Sequence, residues 1–371
     1  MSNSNQLNSE ANITHNSLSQ YVSIDLRKLD QNVEAIKKCV AAKAQLWPVI
    51  KDDAYGHGAI VLAKRLSRVV HGFCVVRPSE GIKLRQAGIK QPILVFEPPS
   101  EHSRSLFSSH HLTASVSHSG HIELLEPGCS YHVNIDTGMK RLGAPIDEVP
   151  ALLQAINKRK DIQGKGVYTH FYQADDPGSS TVAQQLDIFQ RVQSQFPIDW
   201  IRHTANSGAI FHYASHLPLS FDAVRPGLCL YGYSAGEQAI ESLHPLLSWQ
   251  SRLVHHQPVK KGDSVSYGAR WRAPGDGWVG VIPVGYAHGL PRLLSNQMRI
   301  SIAGRMYDQI GSITMDFTLI WLGEDKIPLS IPVFLLDGQQ LRADVWAEKT
   351  QTIAYEITTG ISPKVPRVYI D

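Results

Sequence analysis

The feature that most constrains the fold is a regular alternation of short apolar runs with helix-like stretches over the first two thirds of the chain. Eight β-prone runs are predicted as strands, at residues 46–50, 72–76, 92–96, 112–116, 131–135, 166–169, 200–203 and 221–225. Helical stretches lie between them, at 29–42, 59–67, 78–86, 149–158 and 180–195. Such alternation is typical of a parallel sheet. About eight repeats favour a (β/α)8 TIM-like barrel, and an open doubly wound sheet is the alternative.

The pattern changes after about residue 246. Short alternating runs at 248–255, 278–283, 298–302, 317–321 and 331–335 are separated by turns rich in Gly, Pro and Asp. A chain of 371 residues is longer than one hydrophobic core usually serves. We therefore expect a barrel at 19–246 and a C-terminal all-β domain at 247–371. Residues 1–18, rich in Ser, Asn and Gln, are expected to form a disordered tail.

Composition excludes several classes of protein. The formal net charge of +3 is too small to indicate a nucleic-acid or membrane partner. No apolar run approaches the ~20 residues that span a bilayer, and the N-terminal segment lacks the features of a secretory signal. The four cysteines lie far apart without a CxxC motif. They are expected as reduced thiols of a cytoplasmic protein, with no metal site.

Lys51 directly follows the first predicted strand. In a barrel, the C-terminal end of a strand faces the active-site mouth. Partial desolvation there lowers the pKa of a lysine and leaves the neutral amine that imine formation requires. A lone lysine in this position most often only ends a strand. However, the following Tyr-Gly-His-Gly at 55–58 has a glycine on each side of a histidine, which suits a loop close to a ligand.

The segment KDDAYGHG at 51–58 resembles the cofactor-lysine signature of alanine racemases, KADAYGHG or KANAYGHG. The resemblance continues in order to about residue 369. Its further motifs are NIDTGMKRLG at 134–143, YTHF at 168–171, HTANS at 203–207, RPGLCLYG at 225–232, VSYG at 265–268, PVGYAHGLPR at 283–292, GSITMD at 311–316, YEI at 355–357 and KVPRVY at 364–369. It implies a pyridoxal 5'-phosphate (PLP) enzyme that racemises alanine on a barrel plus a β domain.

The resemblance assigns cofactor roles within the predicted barrel. Lys51 carries PLP, Arg141 donates to its phenolic oxygen and also contacts substrate, and Arg225 faces the pyridine nitrogen. A guanidinium keeps its proton, so the ring nitrogen stays unprotonated and the ring is a weaker electron sink. This favours return of the proton to the α-carbon over transamination. The other implied cofactor-binding residues are Tyr55, His170, Asn206, Ser207, Gly227, Leu228 and Tyr355.

Racemisation needs a base on each face of the α-carbon. Lys51 serves one face, and the resemblance assigns Tyr267 to the other. The pKa of a free tyrosine is near ~10, so the phenolate needs help from neighbouring charge or donors. The resemblance suggests a chain from Tyr267 through His170 to Arg225, with His203 beyond it.

The resemblance also assigns substrate contacts and an assembly. The Met315 backbone amide meets the substrate carboxylate, and Tyr286 and Asp316 lie at the substrate entrance. The family forms head-to-tail homodimers, in which Tyr267 and Met315 of one subunit complete the site of the other.

Several positions depart from the family pattern. Asp52 stands where Ala is usual, His288 where Asp is usual, and Ser312 and Thr314 replace Arg and Ser. Asn134 stands where some members have a carbamylated lysine, and a bound anion is one substitute.

Other functions remain open on the sequence alone. A serine or broad-specificity racemase fits the same motifs. A PLP-dependent decarboxylase would place a carboxylate where Arg225 lies, and a PLP carrier would lack the β domain. An inactive relative conflicts with the presence of both candidate bases.

Overall fold

The computed structural model of the protein describes residues 18–213, 222–236 and 238–371. These described residues divide into two compact units, one within residues 28–244 and one that joins residues 18–27 to 245–371. The expected tail, apart from residue 18, lies outside the described residues, as does the start of the eighth predicted strand at 221.

The unit of residues 28–244 is a parallel eight-stranded barrel. Its strands are Gln45–Leu46, Phe73–Val75, Ile93–Val95, Thr113–Val116, Ser130–Asn134, Gln163–Tyr168, Ile201–His203 and Ala223–Val224. The first strand pairs with the last, and from the second strand onward each pairs with the next in the chain. A bridge between Val49 and Cys74 closes the circle on the other side. The predicted (β/α)8 barrel is therefore confirmed, and the open sheet was the wrong alternative.

Eight helices accompany these strands among the described residues. They are Leu26–Cys39, Ala59–Leu66, Pro78–Gln86, Arg104–Ser109, Ser119–Leu124, Val149–Lys158, Thr181–Gln193 and Ser207–His212. Five coincide with predicted stretches. The other three have six residues each, too few for a 3.6-residue periodicity to stand out in the sequence.

The segment Lys51–Gly56 is a left-handed turn. Four successive residues, from Asp52 to Tyr55, have φ between 51° and 55°. This conformation costs an L-residue roughly 1–2 kcal/mol, so the neighbours must stabilise it. The Nδ1–H of His57 donates to the carbonyls of Ala54 and Tyr55, each at 3.0 Å.

Two carboxylates hold the ends of this turn. Glu80 accepts the backbone N–H of Asp52 at 2.6 Å through one oxygen. Its other oxygen accepts the N–H groups of Val76 and Arg77 at 2.9 Å, at the start of the helix Pro78–Gln86. Asp53 accepts the N–H of Ala59 at 2.8 Å, at the start of the next helix. The sequence predicted a special loop here but not its handedness.

The second unit is built on a nine-stranded mixed sheet. In spatial order its strands are His255–Val259, Gly277–Ile282, Thr318–Gly323, Arg305–Ile310, Arg299–Ile302, Pro332–Leu336, Leu247–Arg252, Gln20–Asp25 and Arg367–Ile370. A small hairpin pairs Ser264–Val265 with Trp271–Arg272. Two helices, Ala343–Thr350 and Ala354–Gly360, accompany the sheet. The expected β domain is confirmed in type.

The placement of the first strand corrects one expectation. We expected the barrel to begin at residue 19, but Gln20–Asp25 lies between Leu247–Arg252 and Arg367–Ile370 in the sheet of the second unit. The predicted run at 248–255 also divides, because the chain turns after Arg252 and a new strand begins at His255. These pairings join residues far apart in sequence, which local patterns do not reveal.

The helices and the cysteines bear on two of the expectations from the sequence. No helix in the described part of the chain is long and apolar enough to cross a membrane. Cys39, Cys74, Cys129 and Cys229 are free thiols. Burial raises the pKa of both Cys74 and Cys229 to about 12, so these two thiols stay protonated at neutral pH.

The left-handed turn makes a specific stability prediction. Asp53→Val removes the acceptor of the Ala59 N–H and places a β-branched residue at φ 52°. We expect it to lower the free energy of unfolding by about 2 kcal/mol, measured by urea denaturation. Asp53→Asn is the matched control, because Asn keeps the acceptor and tolerates this conformation. Equal stability of the two variants would contradict a left-handed turn at this position.

Candidate active site

Lys51 follows the first barrel strand and begins the left-handed turn. Its amine lies 3.8 Å from a carboxylate oxygen of Asp52 and 5.8 Å from the ring centroid of Tyr55. Asp52 also lies 3.9 Å from the Arg77 guanidinium. The Lys51 and Asp52 side chains are 35% and 41% exposed, so solvent screens the pair and its contribution to stability is small. Asp52 therefore gives the lysine a local counter-charge that the usual alanine would not.

A buried cradle lies near the end of the last strand. The Ser207 hydroxyl accepts the backbone N–H groups of Gly227 at 3.0 Å and Cys229 at 3.4 Å. A Cβ on Gly227 would lie 3.0 Å from the Tyr55 hydroxyl and 3.7 Å from the Ser207 hydroxyl. A side chain at this position would crowd the two hydroxyls, so glycine suits it. Hydroxyls and backbone gathered in this way suit a phosphate, and Leu228 lies within the same buried segment.

Arg225 is a buried cation, with only 2% of its surface exposed. Its Nη1 donates to Nδ1 and to the carbonyl of His203, both at 2.8 Å. Its Nη2 donates to the carbonyls of Thr169 at 2.6 Å and Thr204 at 3.1 Å. A guanidinium has five N–H groups, so among the described residues only the Nε–H lacks an acceptor. One directed donor is therefore left for a ligand, as a pyridine nitrogen requires.

Three cations act on His170 at the barrel mouth. Burial and the charges of Arg225, Arg141 and Lys51, in that order, lower the pKa of His170 to about 3. The imidazole is therefore neutral at physiological pH. His170 follows Thr169, whose carbonyl accepts from Arg225, so the imidazole and this guanidinium lie at the ends of nearby strands.

Arg141 lies on an exposed turn. Asp136 accepts the backbone N–H groups of Gly138 at 2.8 Å and Lys140 at 3.2 Å, which shapes the segment before it. Asn134 is buried at the end of its strand, and its carbonyl accepts the N–H of Ala144 at 2.8 Å. The two ends of this turn are therefore held close together, with Arg141 between them.

Two polar residues brace the strand ends around this mouth. Asn206 accepts the N–H of Ala209 at 3.1 Å and donates to the carbonyl of Phe171 at 3.0 Å. Gln185, which sequence reasoning missed, donates to the Thr137 hydroxyl and the His170 carbonyl, both at 3.0 Å. Nothing in the sequence marks Gln185, because its burial on the helix Thr181–Gln193 is not visible in a single sequence.

The remaining candidates lie in the second unit. Tyr267 is 74% exposed, and its carbonyl accepts the Ser312 hydroxyl at 2.9 Å. The backbone N–H of Tyr286 donates to the carbonyl of Thr314 at 3.0 Å, beside Met315. The segment 312–315 thus connects Tyr267, Tyr286 and Met315.

Three other candidate positions also lie in the second unit. His288 accepts the Gly285 N–H at 3.1 Å through its Nδ1, in the turn that carries Tyr286. Asp316 is exposed next to Met315, and Tyr355 is partly buried on the helix Ala354–Gly360.

No group of three or more His, Cys, Asp or Glu in the described ranges could hold a metal ion. The side chains on the barrel instead offer an amine, an anion cradle and one directed donor. This set fits a cofactor with an aldehyde, a phosphate and a basic ring nitrogen, as PLP has.

Most of the chain matches known proteins. Profiles described as "Alanine racemase, N-terminal domain" and "Alanine racemase, C-terminal domain" match residues 24–235 and 246–369. The alanine racemase of Treponema pallidum is 35% identical, over 94% of this chain and 98% of that protein. That of Sorangium cellulosum is 33% identical, over 93% and 97%. A solved alanine racemase of Clostridium difficile 630 is 29% identical, with a TM-score of 0.89 over 95% of this chain and 96% of that chain.

Because of its buried histidines, the protein should lose free energy of unfolding as the pH falls. Burial, and then the charge of Arg225, lowers the pKa of His132 from 6.5 to about 3, and the pKa of His203 is lowered for the same reasons. At His132, the unfolded chain therefore binds a proton that the folded chain cannot, between about pH 6.5 and pH 3. This histidine should lower the free energy of unfolding by up to about 1.4 kcal/mol per pH unit as the pH falls through this window, and His203 acts in the same direction.

Urea denaturation at a series of pH values checks this expectation. His132→Asn removes one of these imidazoles, so its stability should fall less steeply between pH 6.5 and pH 4 than that of the unmodified protein. Identical slopes for the two proteins would contradict a neutral, buried His132.

Proposed function

Since the chain belongs to the alanine racemase family and is an isomerase of that type, we propose that it uses PLP to interconvert L-alanine and D-alanine. Proton transfer at the α-carbon would use one base on each face. The observation that carries this proposal is the buried Arg225, which has a single N–H left for a ligand on the same unit as Lys51 and the cradle.

The residues present fit PLP at each of its polar groups. When bound, PLP supplies an aldehyde for amine chemistry and a conjugated ring that takes up electron density from the α-carbon. Tyr55, Ser207, Gly227 and Leu228 would hold its phosphate, with Tyr355 as a further contact. The Lys51 amine would hold PLP through its aldehyde carbon, with the aldehyde oxygen lost as water.

Arginine and histidine side chains would set the electronics of the ring. Arg225 would donate its Nε–H to the ring nitrogen, and Arg141 would donate to the phenolic oxygen. Because a guanidinium keeps its proton, the ring nitrogen would stay unprotonated and the α-proton would be returned to carbon. The neutral His170 would lie beside the ring with these two arginines, and Asn206 holds the adjacent backbone.

The two proposed bases are the Lys51 amine and the Tyr267 hydroxyl. Tyr267 would act in the site of a second subunit, and we propose a head-to-tail homodimer for this reason. Its 74% exposure and the 54% exposure of Met315 support this, because large exposed apolar side chains often mark interfaces. His170 would donate to the deprotonated Tyr267. Arg225 has its Nη groups bonded to His203, Thr169 and Thr204, so it would stabilise the phenolate through its charge, with His203 behind it.

The substrate contacts would come from the same exposed region. The Met315 N–H would bind the substrate carboxylate, together with Arg141. Tyr286 and Asp316 would line the entrance. We further propose a cytoplasmic enzyme that supplies D-alanine as a peptidoglycan precursor.

One observation favours a second candidate, a racemase of serine or of several amino acids. His288 uses its Nδ1 to shape the Tyr286 turn, where the family usually has a carboxylate. A larger side chain near the entrance changes the room for substrate. A decarboxylase is disfavoured because Arg225 lies where a carboxylate would be needed, and a carrier is disfavoured by the second unit.

The first experiment incubates purified, PLP-loaded protein separately with L-alanine, L-serine, L-lysine and L-arginine. Chiral chromatography should show conversion of L-alanine to an equal mixture of enantiomers, with slow or no conversion of the others. Lys51→Ala is the matched control and should be inactive. Preference for another amino acid would keep the reaction and change the substrate, whereas no racemisation of any would overturn the proposal.

Subunit mixing tests the shared site. Lys51→Ala and Tyr267→Phe should each be nearly inactive alone. Unfolded together and refolded as a 1:1 mixture, they should recover about a quarter of the activity, because half of the dimers are mixed and each has one intact site. Recovery requires that Lys51 and Tyr267 of one site come from different subunits. A mixture no more active than the separate variants would overturn the shared site, whereas a Tyr267→Phe protein that keeps its activity alone would overturn the assignment of Tyr267 as second base.

A further inference from the structure

A second buried histidine, His132, lies next to the His203 ring that contacts Arg225. His132 has no exposed surface, and its Nδ1 lies 2.8 Å from Nε2 of His203. Its Nε2 is buried and has no hydrogen-bond partner among the described residues. The proposed mechanism gives this residue no task.

The chemistry of the donors fixes where the protons lie. The Arg225 guanidinium only donates, so Nδ1 of His203 must accept from it. His203 is then neutral with its proton on Nε2, which donates to Nδ1 of His132. His132 in turn carries its proton on the unpartnered Nε2. The three side chains thus form a hydrogen-bonded chain, in which Arg225 donates to His203 and His203 donates to His132.

The barrel is built to accommodate this ring. Strand Ser130–Asn134 pairs with Gln163–Tyr168, which carries Gly166 opposite His132. A Cβ on Gly166 would lie 2.8 Å from Nδ1 of His132 and 2.9 Å from the carbonyl of Ile201. Trp47 packs against His132 with 5.3 Å between ring centroids. The imidazoles of His132 and His203 stay neutral, because burial and the Arg225 charge lower their pKa values.

We propose that His132 is a positioning residue of the racemase, acting through His203 on Arg225. As an acceptor, it keeps His203 in the one tautomer that can accept from the guanidinium, and so fixes the direction of the free Nε–H. This inference rests on the proposed function, since the direction matters only if a ring nitrogen binds there.

Loss of the His132 acceptor has a defined consequence. The Nε2–H of His203 would be left unsatisfied, and a shift of its proton to Nδ1 would oppose two donors. Arg225 would then lose one of its four contacts and turn more freely. A ring nitrogen no longer held by a fixed donor can take up a proton from water, which favours transamination over racemisation.

The test compares His132→Leu with His132→Asn, which have similar volumes. The Asn side-chain oxygen occupies the place of Nδ1 and can accept from His203, whereas Leu cannot. The first readout is ¹⁵N NMR of histidine side chains in protein free of PLP. Wild-type His203 and His132 should both be neutral with the proton on Nε2, and the His203 signals should keep this pattern in the Asn variant but lose it in the Leu variant.

The second readout uses PLP-loaded protein and L-alanine. Pyruvate, with its equivalent of pyridoxamine phosphate, is counted against D-alanine formed. The Leu variant should raise this ratio by about tenfold, the scale of one buried hydrogen bond in a charged network, and Asn should restore it to near the wild-type value.

Each contrary result has a separate meaning. Equal ratios in the wild-type and Leu proteins, or equal increases in Leu and Asn, would overturn the positioning role. A protonated His132, or a proton on its Nδ1, in the wild-type spectrum would overturn it even if neither variant folds. Absence of any racemisation by wild-type protein would instead overturn the proposed function, and the NMR result would still decide the proton arrangement.

Discussion

The structure depends on burying one permanent charge. Arg225 lies inside the barrel, where an uncompensated guanidinium would be strongly destabilising. Carbonyls of Thr169, His203 and Thr204, together with one imidazole, surround it with acceptors. These residues lie at the ends of neighbouring strands, where sheet pairing stops. The barrel mouth therefore needs strands that stop in register, because a shift of one residue would remove the acceptors.

Much of the barrel could be predicted because its strands are buried on both faces and read as apolar runs. The helices Pro78–Gln86 and Val149–Lys158 match the predicted bounds, since a proline near the start of each marks where a helix begins. The short helices such as Arg104–Ser109 escaped prediction for lack of length. The strand Gln20–Asp25 was assigned to the wrong unit, because its partners are far away in the sequence.

In the candidate site, too, features set by local sequence could be predicted and features set by distant residues could not. Lys51 and Arg225 could be proposed as site residues from short motifs, because Lys51 directly follows a predicted strand and Arg225 ends one. The step from His203 to His132 could not, because it joins two strands that do not pair with each other. A polar residue within an apolar strand was the only trace of it in the sequence. Gly166 shows why: the space for the His132 ring is provided by a missing side chain on another strand.

The left-handed turn after Lys51 means that the signature at 51–58 does not contain all the information for its own shape. His57 braces the turn from within, but Glu80 holds its first N–H from a different βα unit. Grafted into another barrel without that glutamate, the same eight residues would be free to wind in the right-handed sense, and the lysine would leave the strand in another direction. The motif therefore identifies the family, but it does not by itself determine the conformation that directs its lysine.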